Sequence, residues 1–501
     1  MSERQRTQQG PLVVAIDSST TSTKAIVVDT NGTVWATARR PIPLLTPAMD
    51  HYEHDPALWW RTSHETIGEV LGGLSQADRD RVAAIGITHQ RESFAPFSAD
   101  GTPLANGILW LDGRAAEQIE RHGSAHVHEL SGKPAGVTPA IYKMAWVTQH
   151  HPEWFARADK VTDVLGAIVF NLTGRWASST AAADSLGLFD IQRRDWSDEL
   201  LQIAGVRRDQ MPELVAPASP IADIRPELAA EWGLARPIPV IAGLGDGQAA
   251  GIGAAAVESG SYIYNPAFRT HVSGIPGNYV LEVLQSSGSY LAGWVRDTFG
   301  DPDHPGDPDV ERDNAAAAAI APGADGLVTL PYWNAVQSPY WDALARGAVV
   351  GWRGTHTRAH LYRSVLESIC FEMRRNLDEL ADGTGTPITQ LRIMGGGARS
   401  GVWRQIMADV TGVPLTVCLE EEISALGAAV LAMAAINAHA EPLADGSPDV
   451  ASSAKAMASF GETVHPDMEL HERYRRIAAV HARLYPALRE TFQELAALSQ
   501  D

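Results

Sequence analysis

Residues 12–40 read LVVAIDSSTTSTKAIVVDTNGTVWATARR, and the fold class follows from how they are parsed. Leu12–Ile16 and Ala25–Val28 are apolar, strand-forming runs joined by a Ser/Thr-rich turn. Asp29-Thr30-Asn31-Gly32 is a second turn, because Asn-Gly supplies the positive φ that a tight hairpin needs. Residues 33–40 continue as a third strand. The chain therefore opens as a meander. Beyond it, strands and helices alternate. RVAAIGITHQ (81–90) reads as a buried strand with a polar tip, and PIPVIA (237–242) as another, followed by a helix over Gln248–Ala256. TRAHLYRSVLESICFEMRRNLDEL (357–380) is a long amphipathic helix, and LRIMGGGARSGVWRQIMADVTG (391–412) a strand, a glycine turn and a helix. Such alternation predicts α/β layering. A second strand–turn–strand unit is expected within 261–273, which suggests two related halves: 11–255 and 256–495.

The bulk properties narrow the function. With 501 residues the chain holds two large or about three ordinary domains. A net charge of −20 repels a phosphate backbone, so nucleic acid is not an expected partner. Small anions remain admissible, since local backbone N–H groups can hold them. The two cysteines, Cys370 and Cys418, sit in apolar runs, read as buried thiols and are too few for a thiolate zinc site. The most apolar stretch, Ile423–Ala438, is shorter than the ~20 residues of a membrane span and reads as a buried helix packed closely on a sheet. The polar N-terminus has no signal-peptide core, and a cytoplasmic location with no membrane partner is expected.

Four stretches can carry chemistry. In the first, Asp17 ends a strand and Ser19, Thr20, Thr21 and Lys24 follow it; hydroxyls, N–H groups and an ammonium can wrap phosphate, while the carboxylate can hold Mg²⁺. In the second, Gln90-Arg91-Glu92 sits at a strand's carboxyl end, where open α/β sheets bind ligands, and GILWLDGR (107–114) places Trp110 and Asp112 at another. The third is Gly245-Asp246-Gly247, a carboxylate between glycines that can serve an alcohol as general base. Its spacing also mimics a dinucleotide fingerprint, but residues 259–281 lack the acidic partner which that reading needs. The fourth is Gly395-Gly396-Gly397 at a strand–helix turn, suited to adenosine or phosphate. No P-loop motif occurs. His51 and His54 (DHYEHDP) read as a solvated loop rather than a metal pair.

Together these pieces resemble the FGGY carbohydrate kinases. The resemblance rests on AIDSSTTSTKAIVVD, DPALWW, GITHQRES, GILWLDGRA, GLGDGQAAG, PYWDALARGAVVGW, LRIMGGGARSGVW and EEISALGAAVLA, in that order over almost the whole chain. It implies two actin-like ATPase (ribonuclease H-like) α/β domains flanking a central cleft, with sugar held by the first and most of the nucleotide by the second. It implies ATP and Mg²⁺, and a homodimer. Carried onto this sequence, Asp246 becomes the catalytic base and shares the metal with Asp17. Gln90, Arg91, Glu92, Trp110, Asp112, Thr138 and Gln248 face the substrate. Ser19, Thr20, Thr21, Lys24, Gly395, Gly396, Gly397 and Ser400 face the nucleotide. The Arg91–Glu92 pair is similar to that of glycerol kinases, whereas the layout away from the pocket (RDWSDE, HTRAHLYRSVLE) is closer to pentulose kinases. The expected reaction is phosphorylation of a ketopentose such as xylulose. The alternatives are a polyol (glycerol, erythritol or a pentitol), or an impaired relative that only binds sugar or nucleotide. The impaired reading comes from one departure: where the family carries a second, Gly-Thr phosphate loop, this chain has Pro266-Ala267-Phe268-Arg269, with Arg269 expected to donate to phosphate instead. Ala335-Val336-Gln337-Ser338 likewise replaces a glycine-containing loop.

Overall fold

The meander forms as read. The computed structural model describes residues 9–257, 262–285, 287–301, 304, 309–438 and 443–498, so the extreme N-terminus and Ser261 lie outside the described residues. β1 (Leu12–Ser18), β2 (Ser22–Asp29) and β3 (Val34–Pro41) pair antiparallel in sequence order. Both faces of β1 are apolar and both are covered, as expected of a central strand. Leu12, Val14 and Ile16 point to one core, Val13 and Ala15 to another. α1 (Ala57–Gly72) closes the first core through Leu58, Trp59, Ile67, Val70 and Leu71. β4 (Val82–His89) then pairs parallel with β1. After a long excursion through residues 90–219, β5 (Pro220–Asp223) and β6 (Pro239–Gly245) complete a six-stranded sheet of order β5-β6-β4-β1-β2-β3. α2 (Asp246–Gly253) follows β6 directly, starting two residues before the expected Gln248.

The chain falls into two compact units that do not follow sequence order. One comprises residues 1–282 and 422–459, the other 283–421 and 460–501. The Ile423–Asn437 helix explains the crossing. It is the apolar stretch expected to pack closely on a sheet, and it covers the second core of the β1–β6 sheet. Contact is backbone to backbone. A Cβ on Gly86 in β4 would lie 2.3 Å from the Ala428 carbonyl oxygen, and one on Gly253 would lie 2.2 Å from that of Ile423. Glycine at both positions is what lets this helix approach so closely. Among the described residues no helix is long and apolar enough to cross a membrane.

The strand–turn–strand unit expected within 261–273 is displaced. Residues 266–268 form a turn in which Ala267 N donates to Asn265 Oδ1 at 2.8 Å, and Pro266 has no N–H for a ladder. The strand starts only at Arg269: β7 (Arg269–Val272) pairs antiparallel with β8 (Tyr279–Glu282), and both belong to the first unit. In the second unit, the strands Leu391–Ile393, Leu415–Cys418 and Phe460–Val464 form one sheet. The amphipathic Arg358–Thr384 helix and the Gly401–Thr411 helix share its core, in which Cys370 is fully buried. Both cysteines are free and buried.

Candidate active site

Register puts three strand ends side by side. Ser18 lies opposite His89, and His89 opposite Gly245, in the parallel β1–β4–β6 core of the sheet. Asp17, Gln90-Arg91-Glu92 and Asp246 therefore emerge along one edge of one unit, although they are far apart in sequence.

Asp246 opens α2 at the end of β6. Its Oδ1 accepts from Gly247 N at 2.8 Å and from Arg91 Nε at 3.0 Å. Both bonds fall on Oδ1, so Oδ2 is the oxygen presented to a ligand. The flanking glycines have a steric cause: a Cβ on Gly245 would lie 2.3 Å from Arg91 Cδ, and one on Gly247 would lie 2.9 Å from Arg91 Nη2. Glycine is needed there so that the guanidinium can lie across the turn. Asp17 is 8% exposed, and its Oδ1 has no hydrogen-bond partner among the described residues. Burial, and then the charge of Asp246, push its carboxyl up to about 7, with Lys24 pulling the other way. Lys24 itself pairs with Glu422 at 2.5 Å. No group of three or more potential metal ligands occurs among the described residues. An orphaned buried carboxylate oxygen beside a second carboxylate still fits Mg²⁺, which takes one or two carboxylates and completes its shell with water and phosphate oxygens.

The turn after β1 and the loop after β4 are tied together. Thr20 Oγ1 donates to Gln90 Oε1 at 3.2 Å and accepts from Trp110 Nε1 at 2.9 Å. Trp110 remains 38% exposed beside it. Ser19 Oγ folds back onto Ser22 O at 2.8 Å, and Thr21 is exposed. Gln248 is buried, with Nε2 donating to Ala181 O at 2.8 Å. Asp112 is spent on protein, accepting from Tyr52 N at 2.6 Å and from Arg114 Nη2 at 2.8 Å, so it braces two turns. Glu92 adopts φ 61°, a left-handed conformation that costs a non-glycine residue energy and marks a constrained site.

Arg269 does not stand free to meet phosphate. It is 1% exposed, and its Nη1 donates to Glu92 and, at 3.1 Å, to Thr138 Oγ1. Its Nε donates to Glu282 Oε2 at 2.9 Å. Glu282 also takes Arg91 through Nη2 at 2.8 Å and Nη1 at 3.1 Å. Burial alone would raise the Glu282 carboxyl, but Arg269, then Arg91 and His271, hold it well below the usual range. Behind it, His271 Nδ1 meets Asp184 Oδ2 at 3.1 Å, and Lys133 Nζ meets the same oxygen at 3.3 Å. Glu282, His271, Asp184 and Lys133 were absent from the sequence reading. One signal existed for Glu282: it is the first carboxylate after the acid-free run 259–281.

The solvated-loop reading of His54 is overturned. It lies in the short Glu53–His54 strand, is fully buried, and its Nδ1 accepts from Trp59 Nε1 at 3.1 Å. Burial pushes the imidazole down to about 4, slightly opposed by the Thr20 backbone. With an unfolded value near 6.5, the neutral ring contributes stability above pH 6.5 that is lost as pH falls through 4. That difference corresponds to about 3 kcal/mol. Chemical denaturation at pH 7 and pH 4 should show the wild type losing up to about that much more than His54→Asn. Equal losses in the two proteins would exclude His54 as the acid-sensitive group.

In the second unit, Gly395 adopts φ 77°, and residues 396–399 form a single 3₁₀ turn. The nearest atom to a Cβ on Gly396 would be Ser289 Oγ at 3.7 Å, so the turn has an open face. Gly397 packs under Trp403, and Ser400 caps the Gly401–Thr411 helix by accepting from Trp403 N at 3.2 Å. The turn thus presents backbone at a helix start, which suits an anionic or nucleoside ligand.

The N-terminal domain of the FGGY family of carbohydrate kinases matches residues 12–253, and the family's C-terminal domain matches 253–436. The chain belongs to this family. It is an FGGY carbohydrate kinase, a phosphotransferase with an alcohol acceptor and a two-domain, actin-like α/β fold. It is 32% identical to a glycerol kinase of Bordetella parapertussis over 466 residues, covering 85% of this chain and 88% of the relative. The crystal structure of ligand-bound xylulose kinase from Lactobacillus acidophilus superposes with a TM-score of 0.88 at 24% identity, covering 97% of this kinase and 100% of the other. Glycerol kinase of Plasmodium falciparum, solved with ADP, gives 0.82 at 21%, covering 95% and 99%. At these identities the two structures speak for the fold of the FGGY kinase.

Proposed function

We propose that this chain transfers the γ-phosphoryl group of ATP to a hydroxyl of a small, neutral polyol. A ketopentose such as xylulose is the alternative acceptor. The observation that carries this reading is Asp246, whose Oδ1 is pinned by Arg91 and Gly247 while Oδ2 is left for a substrate hydroxyl. Oδ2 takes the hydroxyl proton as that oxygen attacks the γ-phosphorus, and ADP departs with the electrons of the broken P–O bond. Asp17 and Asp246 would hold Mg²⁺, which when bound neutralises charge on the phosphate oxygens. The turn Ser19–Lys24 supplies donors for the phosphates of the nucleotide.

One point disfavours a sugar acid, and another favours a polyol over a pentulose. Two guanidiniums, Arg91 and Arg269, face three carboxylates, Glu92, Glu282 and Asp246, so both are neutralised by protein carboxylates rather than offered to an anionic acceptor. The 32% identity with a glycerol kinase over most of both chains supports the polyol. A cytoplasmic homodimer accompanies this reading. The deciding experiment is ATP consumption with Mg²⁺ against glycerol, erythritol, pentitols, pentuloses and hexuloses. ADP release with a polyol is expected; no release with any acceptor would sink the kinase reading.

A further inference from the structure

We infer that Arg269 is a chain-length gate: its guanidinium occupies the groups Glu92 and Thr138 at the end of the acceptor site and makes the kinase favour shorter acceptors over longer ones. This inference rests on the kinase reading above and specifies its acceptor.

The residues that would bind the far end of an acceptor are already engaged. Glu92 and Thr138 Oγ1 both accept from Arg269 Nη1. Glu282 fixes the other side of the same guanidinium through Nε and Nη2. Four of the five N–H groups of Arg269 are therefore spent on protein, and with 1% of the residue exposed it fills its space rather than offering it. A hydroxyl reaching toward Glu92 would have to break a buried, charge-assisted bond and leave its partner unpaired, which is costly. The position is fixed by the backbone as well. Thr270 N donates to Gly132 O at 2.9 Å, and Lys133 Nζ donates to Thr270 O at 2.6 Å. These bonds anchor the backbone at the start of β7 against residues 132–133, while the guanidinium itself is held by its bonds to Glu92, Thr138 and Glu282. The bulk that replaces the Gly-Thr loop thus acts on the acceptor, not on phosphate.

The test uses the full-length enzyme with ATP and Mg²⁺ and a chain-length series of glycerol, erythritol and xylitol. Because Arg269 alone cannot be removed without stranding Glu92, the variant is Arg269→Gln/Glu92→Gln, with Arg269→Lys as a charge-keeping second variant. For the wild type, kcat/KM is expected to fall at least about tenfold from glycerol to xylitol, and in the double variant the xylitol-to-glycerol ratio should rise roughly 10- to 100-fold. Arg269→Lys, shorter by part of the fork, should move the ratio in the same direction by less. A purely structural role would lower both substrates together and leave the ratio unmoved, and that result overturns the gate. So does a wild type that prefers xylitol, whether or not either variant folds. A wild type that phosphorylates none of the three, nor any acceptor of the wider panel, removes the kinase reading and the gate with it.

Discussion

Asp246→Asn should lower kcat by about 10³-fold or more, within or beyond the range for loss of a general base. KM or Kd for the acceptor should stay within a few-fold. Asparagine keeps an oxygen for Arg91 Nε and Gly247 N, so the local geometry survives. What it loses is the ability to take a proton. Initial-rate kinetics together with acceptor binding by calorimetry separate the two effects. Turnover within tenfold of wild type would mean that another group takes the proton. Loss of acceptor binding in step with kcat would mean that Asp246 positions the substrate rather than deprotonating it.

Gly427→Ala should be strongly damaging although it lies away from the site. A Cβ there would lie 2.0 Å from the Ala249 carbonyl oxygen and 2.9 Å from Ala249 Cα. Both partners are helix backbone, so neither can turn aside as a side chain could. The Ile423–Asn437 helix and α2 would have to separate, and α2 carries Asp246 at its first position. Overpacking of this kind should cost about 3 kcal/mol or more. Thermal unfolding and kcat should fall together. Gly251→Ala is the control: it lies on α2, the helix that Gly427 packs against, but its Cβ would meet nothing within 4 Å. That change should be neutral or slightly stabilising, because alanine is the better helix former. Equal stability of the two variants would refute the close-contact argument.

The legible parts of this molecule are those decided locally. Leu12–Asp29 announces two strands and a turn because its own side chains set β geometry. Gly245-Asp246-Gly247 announces a crowded turn because only glycine admits a neighbour so closely. The parts that were not legible depend on distant partners. Arg269 was assigned to phosphate from its place in an altered loop, but its role is set by Glu92, 177 residues away, and by Glu282 on the next strand. His54 looked like loop because DHYEHDP is polar, while its burial depends on Trp59 and the sheet behind it. The apolar helix after residue 422 was read correctly as close-packed on a sheet. Nothing in its composition says which sheet, and it lies on the one that opens the chain.

That last placement governs the order in which the molecule can be built on the ribosome. The β1–β6 sheet is complete in the chain by Gly245, and the acceptor-side ion cluster by Glu282. Yet one face of the sheet lacks its main covering helix until residues 423–437 have emerged. The whole of residues 283–421 must be synthesised in between. A nascent chain stalled before residue 422 would therefore expose the apolar row of Val13, Ala15, Ile26 and Val28, a surface that chaperones bind. Fragments ending near residue 282 should bind such chaperones, while the full chain releases them.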